Sequence, residues 1–265
     1  RDCLSPDSTA KNVIIVGAIK DLTADPPEAD DIKIWGASSA GPTDDGRVKP
    51  DVLANGTDLK TTTVGGGYSK STGTSLSSPT VTGGVAVLME QYAALRSNGS
   101  PRPAEILALL VQGAVTKSGD GRPRPRFGHG VADFASAAQV LEDTYGQGVT
   151  RMAQEVCTEG AEPLRWEMTA PGDEPLVATL AWTDVAGEAN TGDKDDPTPA
   201  LVNDLDLRLI APDGTVHHPW AFVPEDLTLE AVQSGPNRRD NVERVHVSSE
   251  EAMEGVEDED EEAED

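Results

Sequence analysis

The chain has 265 residues, 47 of them acidic and 21 basic, for a formal net charge of −26 at pH 7, and 37% of it is hydrophobic. That length suffices for one large domain or two of ordinary size with a full core. Such acidity argues against nucleic acid and anionic membranes as partners, and no stretch approaches the ~20 apolar residues of a membrane helix. The charge is uneven, because residues 250–265 hold 11 of the acids and no Lys or Arg. Two cysteines, Cys3 and Cys157, make neither a disulfide framework nor a CxxC metal site. One long-range bridge and two free thiols both stay open. The sequence begins at Arg1 without a charged-then-apolar leader, so it reads as a processed or truncated product.

In chain order, Val13-Ile14-Ile15-Val16-Gly17-Ala18 is a continuous β-branched run and predicts a buried strand of a parallel sheet. Ile32-Lys33-Ile34-Trp35 alternates as a strand does, and Gly41-Pro42 and Asp44-Asp45-Gly46 mark turns. After Pro79, the residues Val81, Val85, Leu88, Tyr92 and Leu95 recur at helical spacing, predicting a helix with one buried stripe that ends near Asn98-Gly99. A second helix is expected from Pro103, with Ile106, Leu107 and Leu110 inward. This is an α/β pattern.

From about residue 150 the period changes. Leu164, Trp166 and Met168 alternate, as do Leu176, Ala178, Leu180 and Trp182, and then Leu205, Leu207 and Leu209. Pro, Gly, Asp and Asn punctuate these segments, which predicts an antiparallel, jelly-roll-like β-sandwich. The expected organisation is an α/β domain over residues 1–147, a sandwich short of a strand or two over 148–249, and a disordered acidic tail over 250–265.

The chemistry centres on Gly73-Thr74-Ser75-Leu76-Ser77-Ser78-Pro79, where a glycine-rich loop runs into the first helix. A serine hydroxyl is a poor nucleophile until a base takes its proton. A helix N-terminus offers free N–H groups and a positive dipole end, suited to an oxyanion. Taken alone, the same string is also an ordinary helix cap. The rest of the chain decides between them. Gly-Thr-Ser-x-x-x-Pro before a Val/Gly/Ala-rich helix resembles the nucleophile segment of the subtilisin-like serine proteases, the subtilases. Residues 9–18, Ser38-Ser39-Ala40-Gly41-Pro42, Asp45-Gly46-Arg47-Val48-Lys49-Pro50-Asp51-Val52 and Phe127-Gly128-His129-Gly130-Val131-Ala132-Asp133 are similar, in order, to further segments of that family. Ser77 stands where the family has alanine, and Ala54-Asn55-Gly56 where Ala-Pro-Gly is commonest.

The resemblance implies a partial, mostly parallel subtilisin-like sheet with helices and peptide hydrolysis through an acyl-enzyme on Ser75. The Ser75 backbone N–H would supply half the oxyanion hole. It further implies Pro6, Ser8 and Thr9 near the S1 wall, a protein or peptide substrate, no cofactor for the chemistry, and a secreted protein. The family's general base His, its orienting Asp and its oxyanion Asn all lie N-terminal to the strand that opens this chain. That N-terminal part of the protease domain is therefore needed for activity, and residues 1–265 alone are expected to be inactive. None of the histidines, His129, His217, His218 and His246, has the His-Gly-Thr context of the family's base.

Thr179-Leu180-Ala181-Trp182-Thr183-Asp184, Leu201-Val202-Asn203-Asp204-Leu205-Asp206-Leu207 and Asp240-Asn241-Val242-Glu243 resemble the β-sandwich appended to one branch of bacterial subtilases. Asn203, Asp204 and Asp206 present oxygen donors at strand spacing, a candidate structural calcium site. The same side chains equally fit an exposed polar face opposite Leu205, Leu207 and Leu209. A different reading of the whole chain is a non-catalytic calcium- or partner-binding module derived from a subtilase.

Overall fold

The computed structural model describes residues 3–22, 29–169, 174–188, 196–223 and 230–253. Strand β1 (Val16–Ile19) runs parallel to β2 (Val52–Asn55), with Val16 opposite Val52. Single bridges widen this layer: Ile34 beside Ile19, Val131 parallel to Leu53, and Val115 beside Val131. The mixed helix-and-sheet arrangement with a small parallel sheet is the α/β class read from the β-branched runs.

Alternation along β2 sorts the core. Val52 and Ala54 point to one face, where they pack with Val81, Ile106 and Leu110 of two helices. Leu53 points to the other, with Ile19, Ile32 and Val131. Between β2 and the first helix lies an exposed antiparallel hairpin, β3 (Leu59–Thr62) with β4 (Tyr68–Ser71).

Helix α1 (Thr74–Leu95) starts five residues before Pro79, earlier than the apolar stripe alone indicates. It buries Val81, Leu88 and Tyr92. Helix α2 (Pro103–Gln112) begins with proline at its first position, and the Glu105 carboxylate accepts from the Arg102 N–H at 2.7 Å. Helix α3 (Phe134–Leu141) is capped by Asp133, which accepts from the N–H groups of Ala135 and Ser136. Gly84 is where α1 meets α3: a Cβ there would lie 2.3 Å from the Phe134 ring.

In the C-terminal part the expected β-sandwich is not shown; what the described residues form is two short antiparallel pairs. Strand β5 (Leu176–Ala181) pairs antiparallel with β8 (Val242–Val247), and β6 (Leu209–Ile210) with β7 (Val216–His217). Among the described residues these are separate two-stranded ribbons, joined where the Trp220 N–H donates to the Arg244 carbonyl at 3.1 Å. Leu164, Trp166 and Met168 alternate in sequence but lie outside any ladder and are 46–55% exposed. The β5–β8 ribbon packs instead on a helix. Leu107 and Val111 of α2 close a core cluster with Val242, Ile14 and Ala181. Gln112 reinforces it, donating to the Val177 carbonyl and accepting from the Thr179 hydroxyl.

The expected tail, residues 250–265, begins inside a short helix (α4, Ser249–Met253). Ser248 and Glu251 form a capping box there, the Ser248 N–H and hydroxyl donating to the Glu251 carboxylate and the Glu251 N–H to the Ser248 hydroxyl. Residues 254–265 lie outside the described structure. Cys3 and Cys157 are both free and exposed.

Candidate active site

Ser75 is the second residue of α1 and is exposed. Its location follows from three backbone links. The Gly56 N–H donates to the Ile19 carbonyl at 3.1 Å, just past β2; the Gly73 N–H donates to the Gly56 carbonyl at 2.8 Å; and the Leu76 N–H closes on the Gly73 carbonyl at 3.0 Å. Ser75 thus stands off the C-terminal edge of the parallel strands, where open α/β sheets place their ligands.

Two glycines make the approach possible. A Cβ on Gly56 would lie 2.7 Å from the Ala18 Cβ and 3.0 Å from the Gly73 carbonyl oxygen, and one on Gly73 would lie 3.0 Å from Ser75 Oγ. Ser77 fits as a small residue should: it is fully buried, and its hydroxyl donates to the Thr74 carbonyl at 3.0 Å. Pro79, inside the helix, has no N–H to close the turn onto the Ser75 carbonyl. The Ser75 hydroxyl itself has no hydrogen-bond partner among the described residues.

No described histidine serves Ser75. The His129 N–H donates to the Asp51 carbonyl at 3.0 Å, at the start of β2, so the four residues of that strand, roughly 13 Å, lie between it and Ser75. Its ring is buried with both nitrogens unpartnered. Burial, with the charges of Arg244 and Lys49 adding, pushes its pKa down to about 3, so it is a neutral core residue. His217 and His246 sit on the ribbons, and His218 follows β7.

Pro6–Thr9 forms a 3-10 turn ahead of β1, and no hydrogen bond or ion pair joins it to Ser75 among the described residues. Asn203, Asp204 and Asp206 do not converge. The Asn203 amide donates to Asp184 at 2.9 Å, Asp204 is bonded to Arg238, and Asp206 lies 3.4 Å from Arg208. A cation there would face two guanidinium groups already on the carboxylates, so these residues do not fit a calcium cradle. Among the described residues no group of three or more His, Cys, Asp or Glu side chains is arranged to hold a metal.

What the sequence reading missed is a set of buried polar clamps joining the two parts of the chain. Asp184, 1% exposed, accepts from the Lys11 ammonium at 2.6 Å, from the Val202 N–H at 2.8 Å, and from the Asn203 N–H and amide at 2.9 Å each. Burial alone would raise its pKa; these donors overcome it and hold the carboxyl at about 2. Every member of Asp240-Asn241-Val242-Glu243 is used. Asp240 accepts from the Val48 N–H at 2.7 Å, Asn241 donates to the Trp182 carbonyl at 2.8 Å, Val242 packs on α2, and Glu243 accepts from the Leu207 N–H at 2.6 Å. Glu243 is fully buried with Oε1 unpartnered. Desolvation, with Asp206, Asp240 and Asp204 nearby, pushes its pKa up to about 9, while burial raises Asp240 to about 6. Asp45–Arg47 at 2.7 Å and Lys49–Asp51 at 2.7 Å complete the junction. A signal was present: charged residues at period two in Asp45-Gly46-Arg47-Val48-Lys49-Pro50-Asp51, two acids flanking two bases and pairing as Asp45–Arg47 and Lys49–Asp51.

Residues 3–130 match the model of the subtilase family. The chain is 34% identical over 97 residues to a subtilisin-like protease, SBT6.1, of Arabidopsis thaliana, covering 37% of this chain and 9% of that protein. It is 41% identical over 66 residues to the C5a peptidase of Streptococcus pyogenes, covering 25% and 6%. The matched stretch thus spans less than a tenth of the length of either relative. Among solved structures, the self-cleaved protease domain of PatA is similar at 26% identity and a TM-score of 0.42, covering 53% of this chain and 46% of that one. The CspB protease of Clostridium perfringens is similar at 25% and 0.42, covering 52% and 28%. The match to the subtilase family model is thus confined to residues 3–130, just under half of the chain.

Proposed function

We propose that this chain carries the nucleophile half of a secreted, subtilisin-like serine endopeptidase. The observation that carries this reading is the placement of Ser75: an exposed, unpartnered hydroxyl in the first turn of α1, at the C-terminal edge of the parallel strands, with glycine clearing the space on its N-terminal side. Ser75 Oγ attacks the carbonyl carbon of a peptide bond, its proton passing to a histidine outside residues 1–265. The Ser75 N–H, free at the helix start, donates to the resulting oxyanion. The amine leaves with that proton, and water then releases the acyl group. Pro6, Ser8 and Thr9 contribute to the wall that receives the side chain before the scissile bond.

The surface of α1 supports a further layer. Val87 is 65% exposed, and on Gly83, one turn before it on the same face, a Cβ would meet nothing within 4 Å. An apolar flank on a helix this central suits the part of the protease that bears the aspartate, histidine and asparagine. No helix among the described residues is long and apolar enough to cross a membrane.

The test is labelling by a fluorophosphonate probe. Residues 1–265 alone are expected to remain unlabelled, and joining the upstream segment should produce labelling confined to Ser75. Labelling of the isolated chain would show that a base within it has been overlooked. Absence of labelling in the joined protein would favour a non-catalytic binding module instead.

A further inference from the structure

The turn Pro6–Thr9 buries none of its own residues, so apolar packing does not hold it in place. Polar contacts do. Upstream, the Cys3 N–H donates to the Ala40 carbonyl at 3.0 Å. At the turn's last residue, Arg47 Nη1 donates to the Thr9 carbonyl at 2.6 Å; Asp45 holds that guanidinium and also accepts from the Ala200 N–H at 3.3 Å. Immediately downstream, the Lys11 ammonium donates to Asp184 Oδ2 at 2.6 Å, to the Val185 carbonyl at 2.8 Å and to the Ala200 carbonyl at 2.6 Å. Asn12 donates to the Asp184 carbonyl at 2.6 Å and accepts the Asp184 N–H at 3.1 Å, while Asn241 donates to Asn12 Oδ1 at 3.3 Å. These partners of Lys11 and Asn12 all belong to residues 184–241.

We propose that Asp184, acting through Lys11 and Asn12, positions the Pro6–Thr9 turn and so sets which side chains the cleft accepts before the scissile bond. This rests on the reading of that turn as part of the substrate wall. Asp184 touches no substrate; it is a positioning residue in the C-terminal part of the chain that tunes a subsite built by the N-terminal part. Ser75 is fixed separately, through Gly56 and Gly73, so loosening the turn alters fit more than chemistry.

The experiment uses the protease with its aspartate- and histidine-bearing segment joined, and two peptides differing only in alanine or phenylalanine before the cleaved bond. Lys11→Met is expected to change the ratio of their KM values by about tenfold, with kcat on the alanine peptide within about twofold. Lys11→Arg should restore the ratio. If Lys11→Met does not fold, Asn12→Ala, which leaves the ammonium in place, is expected to move the ratio the same way by about threefold. A ratio unchanged in the folded variants, or equal losses on both peptides, overturns the proposal. Failure of the parent to cleave either peptide counts against the protease reading instead. In that case amide exchange in residues 1–265 decides: faster exchange confined to residues 5–12 in Lys11→Met sustains the positioning role, and exchange accelerated throughout overturns it.

Discussion

The sheet-and-helix part, residues 14–141, and the ribbon part, residues 176–247, are both well buried at their centres, but by different means. The first rests chiefly on apolar clusters, Val52, Ala54, Val81, Ile106 and Leu110 on one face of β2 and Ile19, Ile32, Leu53 and Val131 on the other, with the Asp45–Arg47 and Lys49–Asp51 pairs buried beside them. In the second, Asp184, Asn237, Asp240, Asn241, Glu243 and Arg244 are as buried as Val242, Val245 and Val247. Apolar burial is lost in proportion to the area removed. A buried ion pair fails differently, because deleting one partner leaves the other charged, desolvated and alone. The ribbons are therefore expected to be more sensitive, residue for residue, to polar substitution than the sheet is to apolar trimming.

The sharpest way to break that contrast is Asp184→Ala set beside Leu110→Ala. Removing Asp184 strands the Lys11 ammonium and three further donors, and is expected to cost about 3–5 kcal/mol. Leu110→Ala is expected to cost about 2–5 kcal/mol. Urea unfolding measures both, and an Asp184→Ala effect under about 1 kcal/mol would remove the distinction between the two regions.

Acidity sharpens it further, because the ribbon region holds carboxylates displaced in opposite directions. Asp184, held at about 2 against an ordinary 3.8, contributes about 2 kcal/mol that is present above pH 4 and lost as pH falls towards 2. Glu243, raised from 4.5 to about 9, keeps a proton that the unfolded chain has released, so stability falls as pH rises across that interval. Asp240 acts in the same direction, its contribution complete by about pH 6. Glu243→Gln retains an acceptor for the Leu207 N–H and should flatten the alkaline decline. Urea midpoints at pH 5 and pH 9 that differ equally in parent and variant would show that Glu243 is not responsible.

Within the sheet region, Gly56→Ala forces a methyl against Ala18 and the Gly73 carbonyl and is expected to cost about 1–3 kcal/mol. Thermal unfolding tests it; an unchanged Tm would mean that β2 and α1 separate easily. The smallest effect concerns calcium. With Asp204 on Arg238 and Asp206 on Arg208, millimolar calcium should move Tm by less than about a degree. A rise of several degrees, abolished by Asp206→Ala, would restore these residues as ligands.

How far the sequence could be read follows the same division. Residues 13–18, the stripe from Val81 to Leu95 and the proline that starts α2 are written in apolar period and cap chemistry, so the strand, both helices and the position of Ser75 were legible. Pro79 alone blurred the start of α1, because proline tolerated in an early helical turn looks like a boundary. Leu164, Trp166 and Met168 show the opposite case: alternation predicts a strand only if a partner edge exists, and β5 finds its partner in β8 and its packing surface in α2. Lys11 and Asp184 are separated by 173 residues and carry no period. Long-range polar pairing leaves no pattern within a window, so the Lys11–Asp184 clamp, and with it the dependence of residues 9–12 on the ribbons, was not readable.

The hydrogen bond between Gly73 and Gly56 has a consequence for what can be built here. Residues 57–72, including the exposed β3–β4 hairpin with Val64 at its tip, leave and return at a single point. Whatever is inserted within that excursion adds loop-closure entropy that grows only slowly with length, while the two glycines at its base keep the register of β2 and α1. The hairpin is thus a graft point beside Ser75: a peptide epitope, a recognition loop or a reporter can be spliced between Leu59 and Ser71 without rewriting the strand before it or the helix after it.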